Sequence, residues 1–196
     1  MSTLQFKRIK GKEIEAYIND IAALRIKIFH DYPYLYEGNA QYEKNYLKIY
    51  SDCPHSIVIL VLDENKVVGA STALPLSSET GEVKAPFLTQ GIDIDSVFYL
   101  GESVLLPSYR GQKIGERFFA EREAAAREQH CKTTVFCAVE RPEDHPRRPQ
   151  GWHPLDKFWQ RLGYKKHPEL HTFFSWKERD EREETLKPMV FWMKNL

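Results

Sequence analysis

The chain has 196 residues, of which 42% are hydrophobic and 29% are charged, and its 28 basic and 28 acidic side chains give no formal net charge. This length suits one domain with a sizeable core, so we expect a single domain over residues 1–196. Balanced charge argues against nucleic acids and membrane surfaces as partners, because both attract a basic surface.

The cysteines, the histidines and the N-terminal residues indicate the cellular compartment and whether the sequence has a metal-binding pattern. Three cysteines are an odd number and do not indicate a disulfide framework, and neither they nor the seven histidines have metal-site spacing. The first residues, MSTLQFKRIKGKE, lack the apolar segment of a secretory signal. The longest apolar run, residues 57–62, is far shorter than the ~20 residues that cross a bilayer. We expect a cytoplasmic protein without a metal.

Periodicity in the first half predicts a strand, two helices, a hairpin and a long loop. Alternating polarity is typical of strands, and apolar residues at helical spacing predict helices. A proline, Pro33, ends the first helix, and a short polar turn joins the two hairpin strands. In chain order the elements span residues 4–9, 13–33, 41–50, 56–62 with 66–74, and 77–91, the last being a loop or an ordered excursion.

The second half continues as strand, helix, strand, short helix and two strands. Pro107 ends the first of these strands, and Gly163 is the expected left-handed residue after the short helix. The elements span residues 97–106, 115–129, 133–139, 154–162, 172–177 and 189–194, with a proline-rich loop at 141–150 and a solvated turn at 178–184. The order β-α-α-β-β-β-α-β-α-β-β predicts an α+β fold with a mixed sheet.

Residues 99–119, YLGESVLLPSYRGQKIGERFF, are the most informative stretch. A turn that enters a helix N-terminus presents unpaired N–H groups and the positive end of the helix dipole, which suits a phosphate. Gly111 and Gly115 permit close approach of a ligand, and Arg110 and Lys113 add positive charge. The segment lacks the Gly-Lys-Ser/Thr of a P-loop, and Leu105 rules out a nucleophile elbow. An ordinary surface loop is the alternative.

Residues 105–115, LLPSYRGQKIG, resemble the pyrophosphate loop of the GNAT N-acetyltransferase superfamily, which usually reads Gln/Arg-x-x-Gly-x-Gly/Ala. The element order is similar over nearly the whole chain, and residues 158–164, FWQRLGY, resemble a second family landmark. The resemblance implies a central mixed, mostly antiparallel twisted sheet flanked by helices. It also implies acetyl-CoA as co-substrate and transfer of its acetyl group to an amine of a small molecule or peptide.

The resemblance further implies roles for individual residues. Backbone groups of Leu105 and Leu106 would contact the pantetheine arm and the thioester oxygen. The pyrophosphate would be held by the loop residues Arg110, Gly111, Gln112, Lys113, Ile114 and Gly115. The amine would attack the thioester directly in a ternary complex. A non-catalytic acyl-CoA sensor is the alternative.

The sequence departs from the family pattern at two positions. Lys113 stands where the first glycine is usual, which costs ~1–2 kcal/mol if that residue needs a positive φ. Trp159 replaces a tyrosine that protonates the leaving thiolate in many members. Tyr164 and Tyr99 are substitutes for this acid, or else core aromatics.

Candidate bases and acceptor-binding residues come from polar side chains near the loop. Glu102 lies in an apolar strand, whose surroundings would favour uptake of a proton, although it could instead be an exposed or salt-bridged strand residue. Glu140 ends the next strand and is the second candidate, or else a charge at the edge of a loop. His145 is a weaker candidate, in a loop. Residues 29–50 are rich in tyrosine and include acidic side chains, which suits a cationic amine, although the tyrosines could instead cap the core. The acceptor-binding candidates are Asp31, Tyr34 and Tyr36. The sequence does not set the oligomeric state and leaves both a monomer and a homodimer open.

Overall fold

The computed structural model describes residues 4–196, which form a seven-stranded sheet with helices on both faces. The strands are β1 (Gln5–Ile9), β2 (Ile57–Asp63), β3 (Lys66–Pro75), β4 (Val97–Leu105), β5 (Thr133–Val139), β6 (Lys165–Trp176) and β7 (Thr185–Asn195). The helices are α1 (Ile18–Phe29), α2 (Ala40–Asp52), α3 (Gly81–Thr89), α4 (Ile114–Glu128) and α5 (Asp156–Arg161), and a 3-10 segment, Gly11–Tyr17, precedes α1.

The strands lie in the order β1-β2-β3-β4-β5-β7-β6. Every neighbouring pair is antiparallel except β4 and β5, which run parallel. The predicted α+β fold, with a mixed and mostly antiparallel sheet flanked by helices, is confirmed. The last strand, β7, lies between β5 and β6 rather than at an edge.

The core has two layers, one on each face of the sheet. Helices α1, α2 and α3 cover one face, and α4 and α5 cover the other. Along β2, Val58 and Leu60 pack into the first layer, and Ile59 and Val61 pack into the second. A strand that is buried on both faces is apolar throughout, which explains why the longest apolar run of the chain lies here.

Of the two alternatives for residues 77–91, the loop is wrong and the ordered segment is correct, because the helix α3 occupies most of this stretch. Val83 and Phe87 form its buried side, and Phe87 contacts Phe191 of β7 with ring centroids 4.8 Å apart. Pro86 lies inside this helix and cannot donate to the carbonyl of Glu82. That carbonyl accepts a hydrogen bond from the Thr172 hydroxyl instead, at 2.8 Å. A partner from β6 thus stabilises a helix that a proline would otherwise disfavour.

None of the helices within residues 4–196 is both long enough and apolar enough to cross a membrane. All three cysteines are buried free thiols.

Candidate active site

The parallel strands β4 and β5 separate and leave a wedge-shaped gap. They pair only at their beginnings, and the last pair is Tyr99 with Val135. β4 also carries an extra residue, since the pairs Ser71–Ser103 and Ala73–Leu100 enclose two residues on β4 but one on β3. This bulge contains Gly101 and turns Glu102 toward α1 and α2.

Gly101 is required by close packing at the bulge. A Cβ at this position would overlap with the Tyr50 hydroxyl and would lie 2.5 Å from Thr72 Oγ1. The Thr72 hydroxyl accepts the N–H of Glu102 at 3.2 Å. The glycine therefore lets α2 approach β4 beside Glu102.

Glu102 is buried in an ionic network, which is the salt-bridged alternative for this residue rather than the purely apolar surroundings. Its carboxylate Oε2 lies 2.7 Å from Arg25 Nη1, and Arg25 Nε also bonds Glu43. The exposed fraction of Glu102 is 8%, and Glu43 is fully buried. Because Arg25 and Glu43 come from α1 and α2, no local pattern around Glu102 indicates this network.

Two tyrosines of α2 complete the surroundings of Glu102. The Tyr46 hydroxyl donates to Glu102 Oε2 at 3.3 Å and lies 3.2 Å from the Tyr50 hydroxyl. Burial, with the nearby charge of Glu102, raises the pKa of both tyrosines well above 10. Both phenols therefore remain protonated at neutral pH.

Sequence reasoning missed Glu79, a third buried carboxylate at this site beside Glu102 and Glu43. Its exposed fraction is 5%, and its Oε2 accepts the Thr80 N–H at 3.1 Å. Burial raises the pKa of Glu79 to about 7, and the charge of Glu102 adds to the effect. Glu79 sits in the segment predicted as a loop, and its isolated position among polar residues provides no signal of burial.

The predicted phosphate loop connects β4 to α4 and is open to solvent. Gly111 has φ +78° with no atom within 4 Å of a Cβ, and Lys113 has φ +61° at the start of α4. The first helical bond runs from Arg117 N–H to Lys113 O, so the preceding N–H groups have no helical acceptor. No side chain within residues 4–196 caps this helix end. The exposed Arg110, Gly111, Gln112 and Lys113 thus fit an anion, with Ile114 buried and Gly115 next to Phe158.

Leu105 and Leu106 lie at the open edge of β4. The Leu106 N–H donates to Val68 O of β3 at 3.0 Å. Because N–H groups alternate between the two edges of a strand, the Leu105 N–H is directed to the opposite edge, from which β5 has diverged. Arg110 Nη2 also reaches the Leu105 carbonyl, at 3.5 Å.

The three acceptor-binding candidates lie in different environments. The Tyr34 ring packs on Phe29, with centroids 4.6 Å apart, and is close enough to Arg25 and Glu102 for their charges to affect it. Tyr36 is buried beside Glu43, and burial raises its pKa strongly. Asp31 has an exposed side chain, and its carbonyl accepts the N–H of Leu35 at 3.0 Å. Tyr34 is therefore the candidate nearest to Glu102.

Arg141 and Glu178 hold the Tyr34 segment in place. Arg141 donates to the carbonyls of Pro33 and Tyr34 at 2.7 and 3.2 Å, and Trp176 Nε1 donates to the Tyr34 carbonyl at 3.0 Å. Arg141 Nη2 lies 2.6 Å from Glu178, whose exposed fraction is 7%. The prediction of a solvated turn over residues 178–184 is thus wrong at Glu178, because Arg141 from another part of the chain pairs with it.

The aromatic residues considered as proton donors are engaged elsewhere. Trp159 packs on Phe136 and Trp192 in the α4–α5 layer, with centroids 5.0 and 5.1 Å away. In the same layer, the Tyr164 hydroxyl donates to Glu123 at 3.0 Å. The Tyr99 hydroxyl lies 3.2 Å from Cys137 Sγ at the apex of the wedge. Of these three, Tyr99 alone lies on the same face as Glu102.

The structure does not bring Glu140 next to Glu102. The Glu140 carboxylate is exposed and lies 2.8 Å from Lys166 Nζ of β6. His145 is half-buried against Tyr32, with ring centroids 5.4 Å apart. Within residues 4–196, no three His, Cys, Asp or Glu side chains are grouped as a metal site.

Solved structures share this architecture over nearly the whole chain. A ribosomal-protein-alanine N-acetyltransferase from Brucella melitensis aligns with a TM-score of 0.63 at 13% identity, covering 98% of this chain and 99% of the other. An N-acetyltransferase from Staphylococcus aureus Mu50 gives 0.63 at 12% identity, covering 99% of each chain. The yncA protein of Salmonella typhimurium, solved with its cofactor acetyl-CoA, gives 0.60 at 8% identity, covering 98% and 94%.

At sequence identities this low, the solved structures show only a shared fold. The family is shown by a match between the sequence and a family profile. No curated protein matches the chain. The profile of the Acetyltransferase (GNAT) family matches residues 18–164, which is most of the chain and includes the predicted phosphate loop, the wedge and Glu102. The chain therefore belongs to the GNAT acetyltransferase family.

Proposed function

We propose that residues 1–196 act as one N-acetyltransferase domain, in which an amine of a small molecule or peptide directly attacks acetyl-CoA in a ternary complex. The observation that carries this proposal is the wedge between β4 and β5. At one end of the wedge, the start of α4 has unpaired backbone N–H groups and no side-chain cap within residues 4–196, and a buried carboxylate, Glu102, lies near the apex. An acyl group and an amine can meet where these features converge.

Acetyl-CoA supplies the activated acetyl group, and the residues at the wedge fit its parts. Backbone N–H groups at the start of α4, with Gly111, Gln112, Ile114 and Gly115 shaping the turn, would hold the pyrophosphate. Arg110 and Lys113 would add positive charge. The N–H of Leu105, directed into the wedge, would donate to the acyl oxygen, and Leu106 would line the arm.

An amine must lose a proton before it attacks, and Glu102 is our first candidate to assist this step. Arg25 fixes one carboxylate oxygen of Glu102, while Oε1 has no hydrogen-bond partner within residues 4–196. Glu140 is the second candidate, and its exposed pairing with Lys166 favours Glu102 over it. Tyr34, with Tyr36 and Asp31 on the same segment, would bind the rest of the acceptor.

Cys137 supports direct transfer. Its thiol lies at the apex, but burial raises its pKa to about 12. A thiol is a nucleophile mainly as its thiolate, so Cys137 is poorly suited to carry an acyl group at neutral pH.

Thermal unfolding with acetyl-CoA, free CoA, ATP and NAD tests the binding half of this proposal. A ligand at a hundredfold its Kd stabilises by ~2.7 kcal/mol, which corresponds to roughly 5–10 °C for a chain of this size. We expect this shift with acetyl-CoA and CoA, but not with ATP or NAD. No shift with any of the four would contradict a cofactor site at the loop.

Release of free thiol from acetyl-CoA across a panel of amines tests the catalytic half. We expect turnover, with a loss of about 100-fold or more in E102Q and little change in E140Q. Binding of acetyl-CoA without release of thiol for any amine would instead favour a non-catalytic acyl-CoA sensor. Equal rates for E102Q and the parent protein would remove Glu102 from the reaction.

A further inference from the structure

The apex of the wedge holds more buried negative charge than its cations neutralise. Glu43, Glu79 and Glu102 are each more than nine-tenths buried. Arg25 pairs with both Glu43 and Glu102. Within residues 4–196, no Lys or Arg lies within ion-pair distance of Glu79.

Three buried carboxylate oxygens also lack a hydrogen-bond donor. Glu43 Oε1, Glu79 Oε1 and Glu102 Oε1 have no partner within residues 4–196, although the second oxygen of each carboxylate is bonded. The Tyr36 and Tyr50 phenols lie beside Glu43 and Glu79, respectively, but outside hydrogen-bond geometry for these oxygens. A buried acceptor without a donor is costly, so each specific case requires an explanation. A ligand that brings both N–H donors and positive charge would satisfy these oxygens.

Glu79 and Glu102 face the same group of side chains. Each is close enough to Tyr50 to raise its pKa, after the larger effect of burial. The titratable and charged groups that surround Glu79 are Tyr46 and Tyr50 of α2, Tyr99 and Glu102 of β4, Cys137 of β5 and Glu82 of α3. Arg122 approaches from the other face of the sheet, but its Nη1 is directed to the carbonyls of Thr72 and Glu102.

We propose that the acceptor enters as an alkylammonium cation, that Glu79 and Glu102 bind its N–H donors through their unpartnered oxygens, and that Glu79 takes the proton. This inference rests on the proposed function and specifies its substrate class. The proton passes from the ammonium nitrogen to the Glu79 carboxylate. The N–H electron pair stays on nitrogen, which becomes a neutral amine able to attack. Glu102, which Arg25 holds as an ion pair, assists this step by binding and orienting the ammonium beside Glu79.

The chemistry of the site favours alkylamines over arylamines. A primary alkylamine is a cation at neutral pH and carries three donors, whereas an arylamine is neutral and leaves the buried charge uncompensated. Tyrosine rings beside the carboxylates would add cation–π attraction. Burial and the charge of Glu102 raise the pKa of Glu79 to about 7, so a substantial fraction is ionised and ready to accept a proton at neutral pH.

The test compares the parent protein with E79Q, E102Q and E183Q, using thiol release from acetyl-CoA over pH 5.5–9. Glu183 is exposed in the β6–β7 turn, so E183Q is the matched control. The probes are a series of primary alkylamines, including phenethylamine, and aniline as the arylamine. We expect alkylamines to react at least 10-fold faster than aniline. For E79Q we expect a kcat lower by about 100-fold and loss of the rate increase centred near pH 7.

A second measurement does not depend on turnover. Carbon-13 NMR titration of the free protein should show a carboxyl group that titrates near pH 7 and is missing in E79Q. Phenethylammonium should lower the pH at which this carboxyl titrates, because the cation favours the ionised form.

The outcomes separate this inference from the proposed function. Faster reaction of aniline, or a pH profile that E79Q leaves unchanged, would overturn the inference while the N-acetyltransferase assignment stands. If no amine releases thiol although acetyl-CoA binds, the proposed function fails, and this inference fails with it. The acetyl-CoA-induced rise in Tm should be the same in E79Q and the parent, which excludes misfolding as the cause of lost activity.

Discussion

Lys113 adopts a left-handed backbone conformation that the family pattern reserves for glycine. Its φ of +61° and ψ of +13° place it just before the first turn of α4. A side chain in this region costs ~1–2 kcal/mol. The chain therefore retains a destabilising residue at the point where a positive charge would reach a bound phosphate.

K113G should stabilise the protein and weaken its affinity for acetyl-CoA. Removing the strained side chain should raise the free energy of unfolding by up to about 1 kcal/mol, or ~2–4 °C in Tm. Urea unfolding measures the first effect, and titration with acetyl-CoA at two salt concentrations measures the second. K48G, at an exposed helical position of α2, should instead destabilise by about 1 kcal/mol. Similar losses for both variants would contradict the strain at Lys113.

Glu79 should make stability fall as pH rises. Its pKa is raised from 4.5 to about 7, chiefly by burial, so between these values the folded protein holds a proton that the unfolded chain has lost. Its contribution is complete below about pH 4.5 and is lost as pH approaches 7, with a total of roughly 3 kcal/mol. E79Q cannot titrate, so its stability relative to the parent should be greater at pH 8 than at pH 5 by about this amount. Urea unfolding at both pH values measures the difference, and E183Q should follow the parent. Parallel pH dependence of E79Q and the parent would be inconsistent with a buried, titrating Glu79.

At the scale of elements, the bulge in β4 allows α2 to pack against the wedge between β4 and β5. It turns Glu102 toward Arg25 and brings Gly101 under the Tyr50 hydroxyl. An extra residue in one strand bends it and increases its twist, which helps β4 to diverge from β5.

G101A should be strongly destabilising, although alanine for glycine is elsewhere a mild change. The new methyl group would overlap with the Tyr50 hydroxyl and crowd Thr72, which should cost ~1–3 kcal/mol and displace Glu102. G81A is the control, because a Cβ there meets no atom within 4 Å at the start of α3. It should be neutral or stabilising by a few tenths of a kcal/mol. Chemical denaturation of both variants measures the free energy of unfolding. An unchanged value for G101A would show that α2, which carries Tyr50, can move away from the new methyl group.

At the scale of the whole molecule, the C-terminal strands complete the sheet beyond the region that the family profile matches. The match ends at residue 164, yet β7 lies between β5 and β6. Phe191 and Trp192 of β7 are buried on opposite faces of the sheet. Both core layers therefore depend on residues after 164.

A fragment that ends at residue 164 should fail to fold. It would expose the β5 edge and remove Phe191 from Phe87 and Trp192 from Phe136. Each loss is comparable to a large-to-small core substitution of 3–5 kcal/mol, and together they approach the whole stability of a typical domain. Far-UV circular dichroism during heating should show no cooperative transition. A cooperative transition that shifts with acetyl-CoA would refute this expectation.

The sequence by itself determined the strands, most helices and the turn between β4 and α4, because their signals are local. Alternation, helical spacing and glycine or proline positions depend on a few neighbouring residues. The same locality explains why the helix within residues 77–91 is not predicted, since the Thr172 hydroxyl that bonds the carbonyl left free by Pro86 comes from a distant strand.

Only the tertiary structure decided what surrounds the candidate catalytic carboxylates. The pairing of Glu102 with Arg25, the burial of Glu79 and the insertion of β7 between β5 and β6 each join segments that are far apart along the chain. A carboxylate's ability to accept a proton depends on its burial and on the charges around it. Tertiary packing sets both the burial of a carboxylate and the charges around it. Neither can be inferred from the residues next to that carboxylate in the sequence.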